Sequence, residues 1–327
     1  MSQPFTDAAG LPVGAAQPVV TFSPVSLTVA GRPATLTIKV SAPVAGERLP
    51  VILFSHGHGA SNFLSSLHGY GPLVDFWAAH GFVVLQPTHL DFPGLGLRDT
   101  DAEGAPLFWR SRVEDMSIVL DHLDEIEATV PGLTGRVDWT RIAAVGHSLG
   151  GHTVAALCGM TVPDPHDTTA VDLRDNRVIA GVIMAGPGAG DGLTGPAADR
   201  FTDLTSTDFS GMTGQALVVV GDHDHNPFFT DQEGWRTDPY YRSPGTNKTL
   251  LTMLGAEHML GGVSGYDADE TTDENPERVA TLCALVWAYL TTALHPDDPS
   301  WSRASEALAR QANPMAHIET RQAAETP

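Results

Sequence analysis

A serine flanked by glycines, Gly146-His147-Ser148-Leu149-Gly150, follows the apolar run Ile142-Ala143-Ala144-Val145 and precedes the small-residue stretch Gly151-His152-Thr153-Val154-Ala155-Ala156-Leu157. A serine in a sharp strand-to-helix turn needs neighbours without Cβ atoms so that the two elements can pass close by, and the turn leaves its hydroxyl exposed at a helix N-terminus. The chemistry on offer is nucleophilic attack on a carbonyl, once a base takes the serine proton and an acid holds that base in one tautomer. His258, in Gly255-Ala256-Glu257-His258 just past the apolar run 249–254, stands where the base is expected. The acid is expected past the apolar run 216–220, in Gly221-Asp222-His223-Asp224. Asp224 is preferred because it lies deeper in the turn, and Asp222 is its rival.

Acyl transfer also builds a negative oxygen that needs donors already in place, each worth about 2.7–4 kcal/mol. The Leu149 N–H, at the start of the elbow helix, and the His58 N–H, in His56-Gly57-His58-Gly59, are the candidates for an oxyanion hole. His56-x-His58 and His223-x-His225 lack the further ligands of a zinc site, so no metal is expected, and neither is a cofactor. Phe92, Phe108, Trp109, Phe228, Phe229, Trp235, Tyr240, Tyr241 and Met259 fall in or near loops at the same edge and predict an apolar or aromatic cleft. Arg112 and Asp115, three apart on one helix, read as a surface ion pair, with a buried brace behind the site as the alternative.

These residues must be positioned by a scaffold. Residues 19–40 alternate about Gly31-Arg32-Pro33 as an antiparallel hairpin. Buried strands are expected at 49–55, 81–86, 141–147, 178–184, 215–220 and 249–254, and helices at 67–80, 108–130 and after 148. A last helix begins at Asn275, a capping residue, with Pro276 in its first turn. Strands alternating with helices predict an α/β fold: a mostly parallel central sheet with helices on both faces and an N-terminal antiparallel hairpin. The division expected is a 1–18 extension, a 19–294 catalytic domain and a 295–327 peripheral tail with a weakly helical alanine-rich run. The Gly- and Pro-rich segments 186–214 and 226–247 are expected as long loops that help to form the cleft.

With 327 residues the chain can bury a large core as one domain. A formal charge of −21, with Lys39 and Lys248 the only lysines, excludes nucleic acid and anionic membrane as natural partners. A small-molecule ester is the expected partner. Cys158 and Cys283 read as buried free thiols. No signal peptide and no run of eighteen apolar residues is seen, so a membrane span is not expected and the cytoplasm is the expected location.

Leu53-Phe54-Ser55-His56-Gly57-His58-Gly59, Pro131-Gly132-Leu133-Thr134-Gly135-Arg136-Val137-Asp138-Trp139-Thr140-Arg141-Ile142, Val145-Gly146-His147-Ser148-Leu149-Gly150-Gly151-His152-Thr153 and Gly255-Ala256-Glu257-His258 resemble the α/β-hydrolases. The resemblance covers about residues 19–289 and lies towards the dienelactone hydrolase-like, platelet-activating-factor acetylhydrolase-like and chlorophyllase-like branch. It implies a serine esterase. Two departures stand out. Dienelactone hydrolases use a cysteine nucleophile where this chain has Ser148, so an ordinary ester or lactone is expected. The acetylhydrolases and chlorophyllases place the acid after the strand that follows the elbow helix. That strand here ends Ile183-Met184-Ala185-Gly186-Pro187 with no carboxylate until Asp191, which again points to Asp224. A lactonase, amidase or perhydrolase would use the same triad, and a binding protein on a hydrolase scaffold is the alternative of another class.

Overall fold

Strands covered on both faces must be apolar at successive positions, and those open on one face at alternate positions. The computed structural model describes residues 5–6, 9–163 and 170–321 and sorts its strands in this way. Along the chain these are β1 (Val19–Leu27), β2 (Leu36–Pro43), β3 (Leu49–Ser55), β4 (Val83–Pro87), β5 (Val137–His147), β6 (Val178–Met184), β7 (Gln215–Gly221), β8 (Lys248–Met253) and β9 (Ala316–Thr320). They form one sheet in the order β9-β8-β7-β6-β5-β3-β4-β2-β1. Every pairing from β4 through β3, β5, β6 and β7 to β8 is parallel, and β1, β2 and β9 join antiparallel.

The helices are α1 (Asn62–Ser65), α2 (Gly71–Ala79), α3 (Trp109–Asp121), α4 (Leu123–Thr129), α5 (Leu149–Leu157), α6 (Gly195–Arg200), α7 (Asp238–Tyr241), α8 (Pro276–Leu294) and α9 (Ser300–Ala309). Because side chains alternate across a strand, Ile52, Phe54, Ala143, Val145, Leu217 and Val219 face one core with α2, α8 and α9. Val51, Leu53, Ile142, Ala144 and Ala216 face the other with α3, α4 and α5.

Several elements differ from the sequence expectation for local reasons. The helix expected at 67–80 starts at Gly71, after Tyr70 at φ 64°, and is preceded by the single turn α1. The helix expected at 108–130 is two, separated at His122. Residues 295–321, read as a tail, contain α9, whose Ala304 and Leu308 enter the core, and β9, which pairs with β8. In the N-terminal segment Pro12–Val13 pairs with Phe5–Thr6, and Leu11 and Val13 are buried. Residues 1–4 and 7–8 of the expected extension and 322–327 of the expected tail lie outside the described residues. Among the described residues no helix is long and apolar enough to cross a membrane.

Asn275 caps α8 as its sequence indicates: its Oδ1 accepts the Arg278 N–H at 3.0 Å, with Pro276 in the first turn. An Asn275→Ala protein is expected to lose about 1 kcal/mol of stability. An unchanged urea midpoint would refute the contribution of the cap.

Candidate active site

The elbow is built by backbone meeting backbone. Ser148 joins β5 to α5 at φ 56°, ψ −123°, a conformation disfavoured for a residue with a Cβ. It is held there by its N–H donating to Met184 O at 2.8 Å. A Cβ on Gly146 would come within 2.1 Å of Gly150 O, and one on Gly150 within 2.0 Å of Ser55 O. Only glycine permits either approach.

The strand ends bring the expected partners together. His258 Nε2 lies 3.0 Å from Ser148 Oγ, and His258 Nδ1 lies 2.8 Å from Asp224 Oδ2. Asp222 does other work, its Oδ1 accepting the Ala256 N–H at 3.2 Å. Arg236 was not foreseen. Its Nε stands 2.7 Å from Asp224 Oδ2, an ion pair by distance whose N–H direction misses a straight hydrogen bond, and its Nη1 donates to Ala185 O at 2.9 Å. The Asp224 side chain is 2% exposed and the His258 ring 32%.

His147, inside the elbow, links two loops. Its Nε2 is 2.9 Å from His258 O, and a carbonyl only accepts, so Nε2 carries the proton. Burial, with His258 beside it, pushes the ring pKa down to about 3, so the ring is neutral and Nδ1 must accept. The Tyr70 hydroxyl therefore gives its single proton to Nδ1, 3.1 Å away, rather than to Leu64 O at 3.2 Å, and accepts the Gly57 N–H at 2.9 Å. The base-bearing loop and the His56–Gly59 loop are thus joined through buried hydrogen bonds. In that second loop the Gly59 N–H donates to Ser65 Oγ at 2.7 Å. Between these two anchored amides the His58 N–H has no partner among the described residues, and neither has the Leu149 N–H at the start of α5.

Behind this loop lies a polar network, closer to the buried brace that was the alternative reading of Arg112 and Asp115 than to the surface pair. Arg112 and Asp115 are both buried, so the expected surface pair does not form, nor do the two pair with each other. Arg112 binds Asp91 Oδ1, His56 O, Ser55 Oγ and Thr153 Oγ1. Asp115 binds Arg32 Nε at 2.8 Å and His89 Nδ1 at 3.0 Å. His89 Nε2 in turn meets Ser55 Oγ at 3.0 Å, which makes a second Ser-His-Asp series. Ser55 and His89 are completely buried, and Ser55 lines neither of the two cavities described below. Access is what separates the two series.

Ser148 opens into a cavity of about 480 Å³ lined also by His58, Leu149, Asp224 and His258. Of the expected cleft residues, Phe229, Trp235 and Met259 line it. Trp109 and Phe108 instead line a separate cavity of about 820 Å³ beside Arg32, because Phe108, at φ 50°, turns the chain into α3 there. Phe92 lines neither cavity and covers Gly94, and Phe228 is 40% exposed, edge-on to Phe201 and Phe229. Tyr240 is buried and Tyr241 exposed, and neither lines the cavity. The apolar wall comes from Leu107, Leu149, Phe201 and Leu204, with Phe229 packed against them. Phe201 and Leu204 lie in the 186–214 segment, whose length and glycine content were the only signals available.

The chain belongs to the alpha/beta hydrolase family, whose model matches residues 52–321, from β3 to just past β9. It is a hydrolase by that membership. No curated protein matches the chain.

Burial draws the Asp224 carboxyl pKa upward, but His258 and Arg236 outweigh it and bring it down from 3.8 to about 2. Folded Asp224 therefore binds its proton less readily than unfolded Asp224. It contributes stability above about pH 4 that is lost as pH falls towards 2. Wild type is expected to lose thermal stability across that window more steeply than Asp224→Asn, and equal slopes in thermal melts would refute this.

Proposed function

We propose that this protein hydrolyses carboxylic esters with apolar or aromatic parts through an acyl-enzyme on Ser148. The observation that carries the reading is the line from Ser148 Oγ through the His258 ring to Asp224, open at its serine end to an apolar cavity. His258 Nε2 takes the serine proton as Oγ attacks the ester carbonyl carbon, while the Nδ1–H stays hydrogen-bonded to Asp224. Negative charge gathers on the carbonyl oxygen, where the unpartnered N–H groups of His58 and Leu149 receive it. The intermediate collapses, the ester C–O bond breaks, and the departing alkoxide takes the proton from Nε2. Water, deprotonated by the same nitrogen, then attacks the acyl-serine, and the second collapse returns the proton to Oγ and frees the carboxylic acid.

Arg236 supports this reading by adding to His258 in holding the Asp224 carboxyl ionised, so that the negative charge that steadies an imidazolium is in place. The acid after β7 sets the chain apart from the acetylhydrolase and chlorophyllase pattern, which places it one strand earlier, so neither group's substrate is carried over.

A fluorophosphonate probe is expected to label Ser148 in wild type and not in Ser148→Ala or His258→Ala, and Ser148→Ala is expected to lose roughly four to six orders of magnitude in ester turnover. Ester hydrolysis by Ser148→Ala at the wild-type rate would overturn the reading. Arg236, the one arginine or lysine lining the cavity among the described residues, is engaged by Asp224, so an uncharged methyl ester is expected to turn over faster than its carboxylate-bearing counterpart. The reverse order in a paired rate assay would contradict the apolar cleft and the repulsion expected from a chain of net charge −21.

A further inference from the structure

The His58 side chain is held as firmly as its backbone, by groups that the mechanism above does not use. Its Nδ1 lies 2.8 Å from Asp91 Oδ2. Asp91 is wholly buried and bound on its other oxygen by Arg112, also wholly buried, and Arg98 stands 3.8 Å from Oδ2. Burial favours the neutral carboxyl, yet Arg112 and the His58 hydrogen bond hold its pKa well below the usual carboxylate range. An ionised carboxylate only accepts, so Nδ1 carries a proton, and the tautomer this selects for the neutral form of the ring has its lone pair at Nε2. That nitrogen has no partner among the described residues, although the side chain is only 22% exposed and lines the cavity that holds Ser148. A buried ion pair is costly to assemble, and this one fixes the tautomer and direction of a single ring at the cavity wall.

The surroundings share this character. Between β8 and α8 the chain crosses back towards the β3 side, where Glu270 accepts the Ser61 N–H at 2.9 Å and the Ser61 Oγ–H at 2.7 Å. Each carboxylate oxygen keeps a lone pair, and Glu270 lines the same cavity as His58. This end of the cleft therefore offers acceptors, and the cavity's arginine is occupied at Asp224.

We propose that the His58 ring, clamped by Asp91, is a specificity determinant whose Nε2 accepts a hydrogen bond from a hydroxyl on the acyl part of the substrate, so that the preferred substrates are uncharged esters of hydroxy acids. The proposal rests on the ester-hydrolase reading and narrows it. The amide nitrogen and ring Nε2 of one histidine lie on the order of 5 Å apart by bond geometry. With the amide on the carbonyl oxygen, Nε2 is in reach of a hydroxyl on the second or third carbon of the acyl chain.

The test compares kcat/KM for ethyl 3-hydroxybutyrate, ethyl 2-hydroxybutyrate, ethyl butyrate and ethyl 3-methoxybutyrate, the last keeping the oxygen but donating nothing. Wild type is expected to favour at least one hydroxy ester over both non-donors by about tenfold, the worth of one good hydrogen bond. The ratio should fall to about one in His58→Phe and be partly kept in His58→Gln, which retains an acceptor, and Asp91→Asn should reduce it by freeing the ring. A wild-type ratio at or below one, or a ratio unchanged in folded His58→Phe, overturns the proposal while leaving the esterase reading intact. If no ester is turned over by a protein that a fluorophosphonate still labels at Ser148, the esterase reading fails and this proposal with it. Should a variant fail to fold, the wild-type ratios alone decide.

Discussion

The structure around the site depends on one close approach, that of Gly150 to the end of β3. With a Cβ there only 2.0 Å from Ser55 O, the N-terminal turn of α5 lies directly against the strand beside β5. The contact seats the start of α5 next to the His56–Gly59 loop, so His58 and Leu149, whose amides have no partner among the described residues, line one cavity from two different elements. It also brings the chain at Ser148 into its strained turn, a conformation that the neighbouring packing must over-determine. Parallel strands make this possible because their C-terminal ends share one edge, and all four loops that matter, after β3, β5, β7 and β8, leave from it.

The molecule holds the same three residue types in the same order of contact twice, at Ser148-His258-Asp224 and at Ser55-His89-Asp115. Distances alone do not separate them. In the first, the serine meets a cavity and the ring is a third exposed. In the second, serine and ring are sealed, and Arg112 and Arg32 contribute further bonds that knit β3, α3 and the β1–β2 turn together. A constellation acts on a substrate only where a substrate can reach it, and elsewhere the same bonds serve as mortar.

Ser148 and His258 were legible because each follows an apolar strand and the spacing of glycines reports a backbone constraint. Asp224 was distinguishable from Asp222 by depth in the loop. The partners of Arg112 were not legible. Asp91, Ser55 and His56 come from strands and loops at 21 to 57 residues' distance, and no periodicity links them. Helix periodicity could report that Arg112 and Asp115 share a helix, but not that both face inward, since charged residues at that spacing usually sit in water. Strand β9, Ala-His-Ile-Glu-Thr, is short and mostly polar and gave no sign of an edge strand, and the apolar wall of the cleft is made in part by a 3-10 turn, too short to show a period.

The His147 ring has one arrangement that satisfies both its neighbours: a proton towards His258 O and a lone pair towards the Tyr70 hydroxyl. Moving the proton to Nδ1 would set the Nε2 lone pair against the His258 carbonyl in a fully buried place. The ring therefore ties the two loops to the elbow that lies between them. The segments over the cavity are fastened to each other, Thr194 N–H to Phe229 O and Thr230 Oγ–H to Gly192 O, and to the body, where Thr161 and Asp208 exchange backbone bonds and Thr207 Oγ1 lies 3.4 Å from His152 Nε2 on α5, while Leu149 meets Phe201 and Leu204 by apolar packing. At Leu149 the cavity is thus walled by packing alone, and on the His147 side by bonds of fixed direction.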